Sequence, residues 1–429
     1  MRRYSNIINK MIRFSIKTTT LLIVWLLFSP LAQAQNSTSS PFSIFGIGEI
    51  ETRDFGRTVG MGNIGIGYQS ENFLNRRNPA GLSAIDTLRF ILDVSAAVKF
   101  SQFRTKEEQA QSTDFNFKNL AVGVRLSKRW TSSVGLSPYS NVGYNIKTDA
   151  PTSSIPINED IYCSGNGGVN KFYWANAFEL FRGFSMGVTS SYLFGNFARN
   201  YDMMNGISEN NTYSVSQIYF DFGAQYSQWF KRHTNLTVGA VYGYNSKISI
   251  QQTSMVADNT GVRKNKRKPD SEAYIPESYG FGFSVLRNKK PAEWILAADY
   301  RYQNWSADRS THKKLAYTDS HSYNIGLQMT PNTHRPEKIT LHLMRFQLGA
   351  CYNQSYLKVE GYQLDDYSVS IGVGIPFFNY QSQVLSYVNV AVIAGESGTG
   401  KRGGITERYM LLSVNLSLIE RWLAKHQWR

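Results

Sequence analysis

Residues 368–375 read SVSIGVGI. Val369, Ile371, Val373 and Ile375 alternate with Ser368, Ser370, Gly372 and Gly374. A strand points successive side chains to opposite faces, so this octet has one greasy face and one face of tiny or hydroxylated groups. Leu412, Val414, Leu416 and Leu418 alternate in the same way with Ser413, Asn415 and Ser417. Met344, Phe346, Leu348, Ala350 and Tyr352 alternate with Arg345, Gln347, Gly349 and Cys351, and Leu236, Val238, Ala240, Tyr242 and Tyr244 face away from Thr237, Gly239 and Asn245. The pattern also runs through 90–100, 119–127, 184–194, 281–286, 293–302 and 323–329.

Such stretches between 88 and 419 predict roughly fourteen strands, an even number, each about ten to eighteen residues long. Strands of soluble sandwiches are typically about five or six residues, so these are too long and too many for one. An outer-membrane barrel, apolar toward lipid, polar toward its lumen and without free edges, fits instead. The connections are expected to alternate. Longer segments near 104–114, 146–168, 196–212 and 252–276 interleave with short ones at 127–129, 182–183, 230–233 and 287–291. Short periplasmic turns and long external loops are the habit of bacterial barrels, and only PNTHRPEKIT (331–340) is long for a periplasmic connection.

Composition agrees with this class. Aromatic residues are 14% of the 429 and charged residues only 18%, a mix suited to an all-β protein rich in turns. The formal charge of +15 is compatible with a nucleic acid, an anionic membrane surface or simply a basic exterior. Cys163 and Cys351 are the only cysteines, too few for a disulfide framework and not at CxxC metal spacing. At the N-terminus a basic stretch precedes the apolar run LLIVWLLF and the A-x-A site Ala32-Gln33-Ala34, which reads as a secretory signal peptide over 1–34, cleaved near Ala34. That run is far short of the roughly 20 residues of a spanning helix.

GESGTGKR (395–402) fits seven of the eight positions of the phosphate-loop pattern G-x-x-x-x-G-K-[ST]. Such a loop needs a parallel strand before it, a helix after it and a hydroxyl for the metal. Here two antiparallel strands flank the stretch and Arg402 replaces the hydroxyl, so it reads as a hairpin loop and no nucleotide is expected.

The strongest basic run is RKNKRKP, with Arg263, Lys264, Lys266, Arg267 and Lys268, in an expected external loop. It reads as a solvated loop or as a contact for lipopolysaccharide phosphates or an acidic partner. Aromatics do not interleave with it, so nucleic acid is not expected. His312, His321, His334 and His342 show no metal spacing, and no Ser-His-Asp grouping stands out; neither metal, cofactor nor catalytic residues are expected. Asp299 and Arg301 share parity with the small-residue face and are expected to point into the lumen, pairing with a plug or with each other. The Gly-rich segment before the first strand is long enough to be that plug.

Within it, GMGNIGIG (60–67) and NPAGLSAID (78–86) resemble the hatch of the outer-membrane long-chain fatty acid transporter family (FadL-like). ADYRYQNWS (298–306) and residues 345–377 extend the resemblance over most of the chain. The resemblance implies a fourteen-stranded barrel with an N-terminal hatch that contains Asn78, Pro79 and Ala80. It also implies passive uptake of hydrophobic small molecules such as long-chain fatty acids, with sideways release through the wall. The domain reading is signal peptide 1–34, hatch 35–87, barrel 88–419 and a tail 420–429, which extends beyond the strand on which family members end. The expected partners are membrane lipids and lipopolysaccharide, a hydrophobic ligand and envelope proteins. The alternative function is a permanently plugged barrel, a structural subunit of an envelope assembly. An apolar cavity with an exit would mark the first, a filled lumen the second.

Overall fold

The computed structural model describes residues 38–87, 89–148, 161–203, 206–230, 232–257, 263–267, 271–289, 291–305, 315–331, 343–359, 361–379, 384–399 and 404–421. The expected signal peptide, Lys268, His312, His334, His342, most of the 331–340 connection and residues 422–429 lie outside them.

Three 3-10 turns, Pro41–Ile44, Val59–Met61 and Pro79–Ala84, and a short strand β1 (Glu49–Ile50) come first. The wall then runs β2 (Arg89–Arg104), β3 (Gln109–Arg125), β4 (Trp130–Thr148), β5 (Ile161–Phe181), β6 (Phe184–Met203) and β7 (Ser208–Phe230). It continues through β8 (Thr234–Gly243), β9 (Ser246–Ala257), β10 (Arg263–Arg267), β11 (Ser271–Ile275), β12 (Glu277–Lys289) and β13 (Ala292–Asn304). β14 (Leu315–Tyr317), β15 (Ser320–Pro331), β16 (Arg345–Val359), β17 (Tyr362–Asn379), β18 (Val384–Gly398) and β19 (Thr406–Arg421) complete it.

β8 and β9 pair in succession along β7 and make one wall strand; β10, β11 and β12 make the next, and β14 with β15 another. Among the described residues this gives fourteen antiparallel wall strands. β19 pairs with β2 from Thr406↔Arg104 to Arg421↔Arg89, which closes the sheet and removes its edges. No helix among the described residues is long and apolar enough to cross a membrane.

The two faces separate as the alternation predicts. In β19, Ser413, Asn415 and Ser417 are at most 4% exposed, while Leu412 and Val414 on the opposite face are 37% and 42% exposed. Outward aromatics gather at the end with the short turns, where Trp130, Phe178, Phe181, Trp229, Phe230 and Trp294 are exposed. Tyr242, Tyr279, Tyr302, Tyr323, Tyr352 and Tyr367 form a second band of ring contacts toward the other end. Two such girdles around an apolar belt are the signature of a wall that sits in lipid.

The far end departs from expectation. The segments 104–114, 196–212 and 252–276 contain mostly strand, and residues 105–108 alone join β2 to β3. The basic run is likewise not a loop: Arg263–Arg267 is strand β10, in register with β9 from Arg263↔Ala257 to Arg267↔Thr253. Above the lipid both faces of a strand meet water or the lumen, so apolar alternation stops although the hydrogen-bond ladder continues. Periodicity therefore marks the membrane belt and not the full strand.

Residues 54–85 lie inside the closed sheet, against inward-facing residues from strands on many sides. A Cβ added to Gly282 of β12 would stand 2.7 Å from the Gly67 amide nitrogen, one on Gly349 of β16 would stand 1.9 Å from Gly62 N, and one on Gly187 of β6 would stand 2.6 Å from Ala80 N. Side chains at these points would push the segment off the wall. Phe55, Met61, Ile64, Phe73, Leu74, Leu82 and Ile85 are each at most 2% exposed.

Candidate functional site: the lumen and its N-terminal segment

The junction between the N-terminal segment and the wall is built from buried polar groups. Asn78 stands at the N-cap of Pro79–Ala84, extended at φ −141°, and its Oδ1 accepts from Ala80 N at 3.0 Å. Pro79 opens that turn, where an amide would have no partner within it. The Asn78 Nδ2 donates to Ile66 O at 2.9 Å and to Ala224 O of β7 at 3.1 Å. Ala80 is fully buried, and its carbonyl accepts from Ser185 Oγ of β6 at 3.1 Å. The three residues thus fix the segment to itself and to the wall.

Asp299 is 5% exposed and faces inward. Its carboxylate accepts three successive amides: Gly65 N at 2.6 Å, Ile66 N at 2.8 Å and Gly67 N at 3.3 Å. Arg301, two residues on, donates from Nη2 to Ser278 Oγ at 3.2 Å. The two are not bonded to each other; the segment's backbone takes the acid. Arg77, buried near Asp299, has its pKa lowered by burial, which outweighs the carboxylate's opposing pull.

Three ion-pair clusters tie the segment to the wall on the other side. Lys118 of β3 pairs with Glu51. Arg53 pairs with Asp366 of β17 at 2.8 Å and donates to the Tyr409 hydroxyl of β19, which in turn donates to Asp366 at 2.6 Å. Lys99 of β2 pairs with Glu407 of β19 at 2.6 Å and with Glu49 of the N-terminal segment at 4.0 Å, and Ser101 donates to the Glu407 carboxylate. Burial acts to raise the Glu51 pKa, but the Lys118 ammonium against it, with Arg53 and Lys99 nearby, prevails and leaves it lowered. Arg76 pairs with Asp54 within the segment and donates to Asn119 of β3 at 2.6 Å. Of these groups, reading the sequence picked out none. Lys99, Lys118 and Glu407 do carry a signal, because each is a charge at an inward position of its strand.

Glu51, Arg53, Lys99, Lys118, Asp366 and Glu407 line a cavity of about 150 Å³ with Phe55, Trp305, Tyr356 and Leu364. Beyond it, toward the end with the longer connections, Val142, Tyr144, Ile161, Leu193, Phe197 and Ile248 belong to a buried apolar cluster that includes the free thiol of Cys163. Arg199 lies over the rings of Phe197 and Tyr213 and donates to Gly46 O at the edge of this cluster. Among the described residues no group of three His, Cys, Asp or Glu is placed to hold a metal.

A family profile named BamG matches residues 15–429. The chain belongs to the BamG family. This BamG-family barrel shares its fold with solved structures at low sequence identity. A FadL homologue of Pseudomonas aeruginosa is 12% identical, with a TM-score of 0.56 over 87% of this chain and 99% of that one. The toluene transporter TodX of Pseudomonas putida is 14% identical, with a TM-score of 0.56 over 87% of this chain and 99% of that one. The monoaromatic hydrocarbon channel CymD is 13% identical, with a TM-score of 0.53 over 89% of this chain and 100% of that one. No curated protein sequence gives a significant match. The FadL-like resemblance of the sequence therefore holds for the barrel architecture, while family membership is BamG.

Proposed function

We propose that the barrel works closed, as a plugged structural subunit of an outer-membrane protein assembly. The state of the lumen carries this reading. The segment that crosses it is bonded to β3, β6, β7, β13 and β17, and the cavity beside it in the lumen is about 150 Å³ with charged side chains in its lining, while a larger apolar cavity of about 990 Å³ is lined mainly by outward-facing side chains such as Phe281, Ile325 and Val369, on the face that meets lipid. Small-molecule pockets run to about 300–1,000 Å³ and are mostly apolar, because a hydrophobic ligand gains by leaving water for apolar walls. A chamber of ion pairs offers it no such gain. In this reading residues 35–87 are the plug, and membrane lipids and lipopolysaccharide surround the belt. The β9–β11 extension with its basic residues and the 420–429 tail are surfaces for envelope partners.

A second reading is passive uptake of hydrophobic molecules. It is favoured by the buried apolar cluster around Leu193 and Phe197, at the end where such a ligand would enter, and by the shared fold with barrels named as hydrocarbon transporters. That cluster is filled by the protein's own side chains, so entry would require it to open. Reconstitution of the mature chain into liposomes separates the two. Uptake of a labelled long-chain fatty acid and of toluene at the rate of protein-free vesicles is expected; uptake several-fold faster would overturn the closed-subunit reading.

A further inference from the structure

At the end of the lumen with the short turns, two buried arginines lie near each other, and neither is in an ion pair among the described residues. Arg57 of the N-terminal segment is 4% exposed and Arg345, the first residue of β16, is 6% exposed. Arg57 donates from Nη1 to Ser70 Oγ at 2.7 Å, lies over the Tyr68 ring, and leaves its Nε without a partner. Arg345 stacks on Tyr387 at 3.4 Å from the ring centroid and leaves its Nη1 without one. Gln347 ties the two sides together, donating from Nε2 to Arg57 O at 3.1 Å and to Gln328 Oε1 at 3.0 Å.

Gln328 Nε2 and the hydroxyls of Thr330, Thr58 and Tyr68, which can donate or accept, are also buried and unpartnered, as are the acceptors Asn389 Oδ1, Gln225 Oε1 and Asp54 Oδ2. Neither arginine forms an ion pair among the described residues; Glu293 of β13 acts on Arg345 only through space, and the two guanidiniums repel each other. A guanidinium keeps its proton at any physiological pH, so it cannot escape burial by becoming neutral. Buried charge without compensation is strongly unfavourable, and buried polar groups without partners on neighbouring strands call for an explanation such as a bound ion.

We propose that Arg57, Arg345, Gln328 and Thr330 hold a phosphate oxyanion that clasps the N-terminal segment to the wall. The planar fork of a guanidinium matches two phosphate oxygens, and a second arginine with a hydroxyl and an amide can take the others. The phosphate is either the free ion or the headgroup of a lipid. The clasp does not depend on whether the barrel conducts.

The test uses the mature full-length barrel in phosphate-free non-ionic detergent, with inorganic phosphate and short-chain phosphatidic acid as separate probes. The expected result is saturable binding of at least one probe and a higher unfolding midpoint, which sodium chloride at matched ionic strength does not reproduce. Arg345→Met is expected to weaken binding at least tenfold while leaving the phosphate-free protein no less stable than the parent, since it removes an uncompensated charge. Arg345→Lys keeps the charge without the fork and should bind at an intermediate level. If Arg345→Met does not fold, Thr330→Val serves in its place, with an expected loss of several-fold. Binding of phosphatidic acid alone identifies a headgroup site, and binding of both identifies a site for the ion itself. Absence of binding by either probe at millimolar concentration overturns the proposal, as does binding that Arg345→Met and Thr330→Val leave unchanged.

Discussion

Asp299 illustrates how far one residue can be read from its place in a strand. Its parity between Ala298 and Tyr300 is enough to send it inward, away from lipid. That its partners are three backbone amides of a segment more than 200 residues upstream has no signature in the sequence, because amides are common to nearly every residue. Asp299→Ala would leave those amides buried without an acceptor, at about 1–3 kcal/mol for each group left unsatisfied. A lower unfolding midpoint and faster protease cleavage within residues 60–70 are expected, measured against the conservative outward change Tyr300→Phe. Glu51 adds a pH dependence. Its folded pKa is lowered, so the stability it contributes is fully present above its unfolded value and is lost as pH falls through the folded value. Acidification below the ordinary carboxylate range should therefore loosen the N-terminal segment, and Lys118→Met should weaken that dependence, both read from the pH profile of the unfolding midpoint.

At the scale of elements, the wall and the N-terminal segment differ in legibility. The belt of β16–β19 is written in alternation, since lipid tolerates only apolar side chains on one face and the lumen accepts small polar ones on the other. The upper halves of β5, β6 and β7 carry Asn, Ser, Gly and Tyr on both faces, so the sequence cannot separate strand from loop there, and only the ladder with its neighbours does. The segment ahead of the wall could be recognised by its glycines and its Asn-Pro step. Its path could not, because it follows wall glycines such as Gly282 and Gly349, whose meaning is close approach and not turn formation. Gly282→Val is expected to unseat the segment while the belt still folds: heat-modifiable mobility on gels is retained, and residues 60–70 become cleavable. The neighbouring outward change Phe283→Val should leave both as in the parent. Asn78→Ala removes a cap and two bonds across to Ile66 and β7, with an expected loss of about 1–3 kcal/mol in unfolding free energy.

For the whole molecule, closure of fourteen strands follows from physical necessity once the alternation is accepted, because an open edge cannot be left in lipid. The occupancy of the lumen does not follow from the sequence. Barrels named as a toluene transporter and as a monoaromatic hydrocarbon channel share this fold, and in this chain ion pairs such as Arg53 with Asp366 and Lys118 with Glu51 hold the N-terminal segment against the wall. A permanently closed barrel does its work through its surface, and native mass spectrometry with lipid analysis, on protein extracted gently from its own membrane, reads that directly. The expected spectrum is the barrel in stoichiometric complex with other envelope proteins and without an apolar ligand. A solitary barrel that carries fatty acids or other hydrophobic molecules, displaced when bulky side chains are built into the apolar cluster at Leu193, would contradict it.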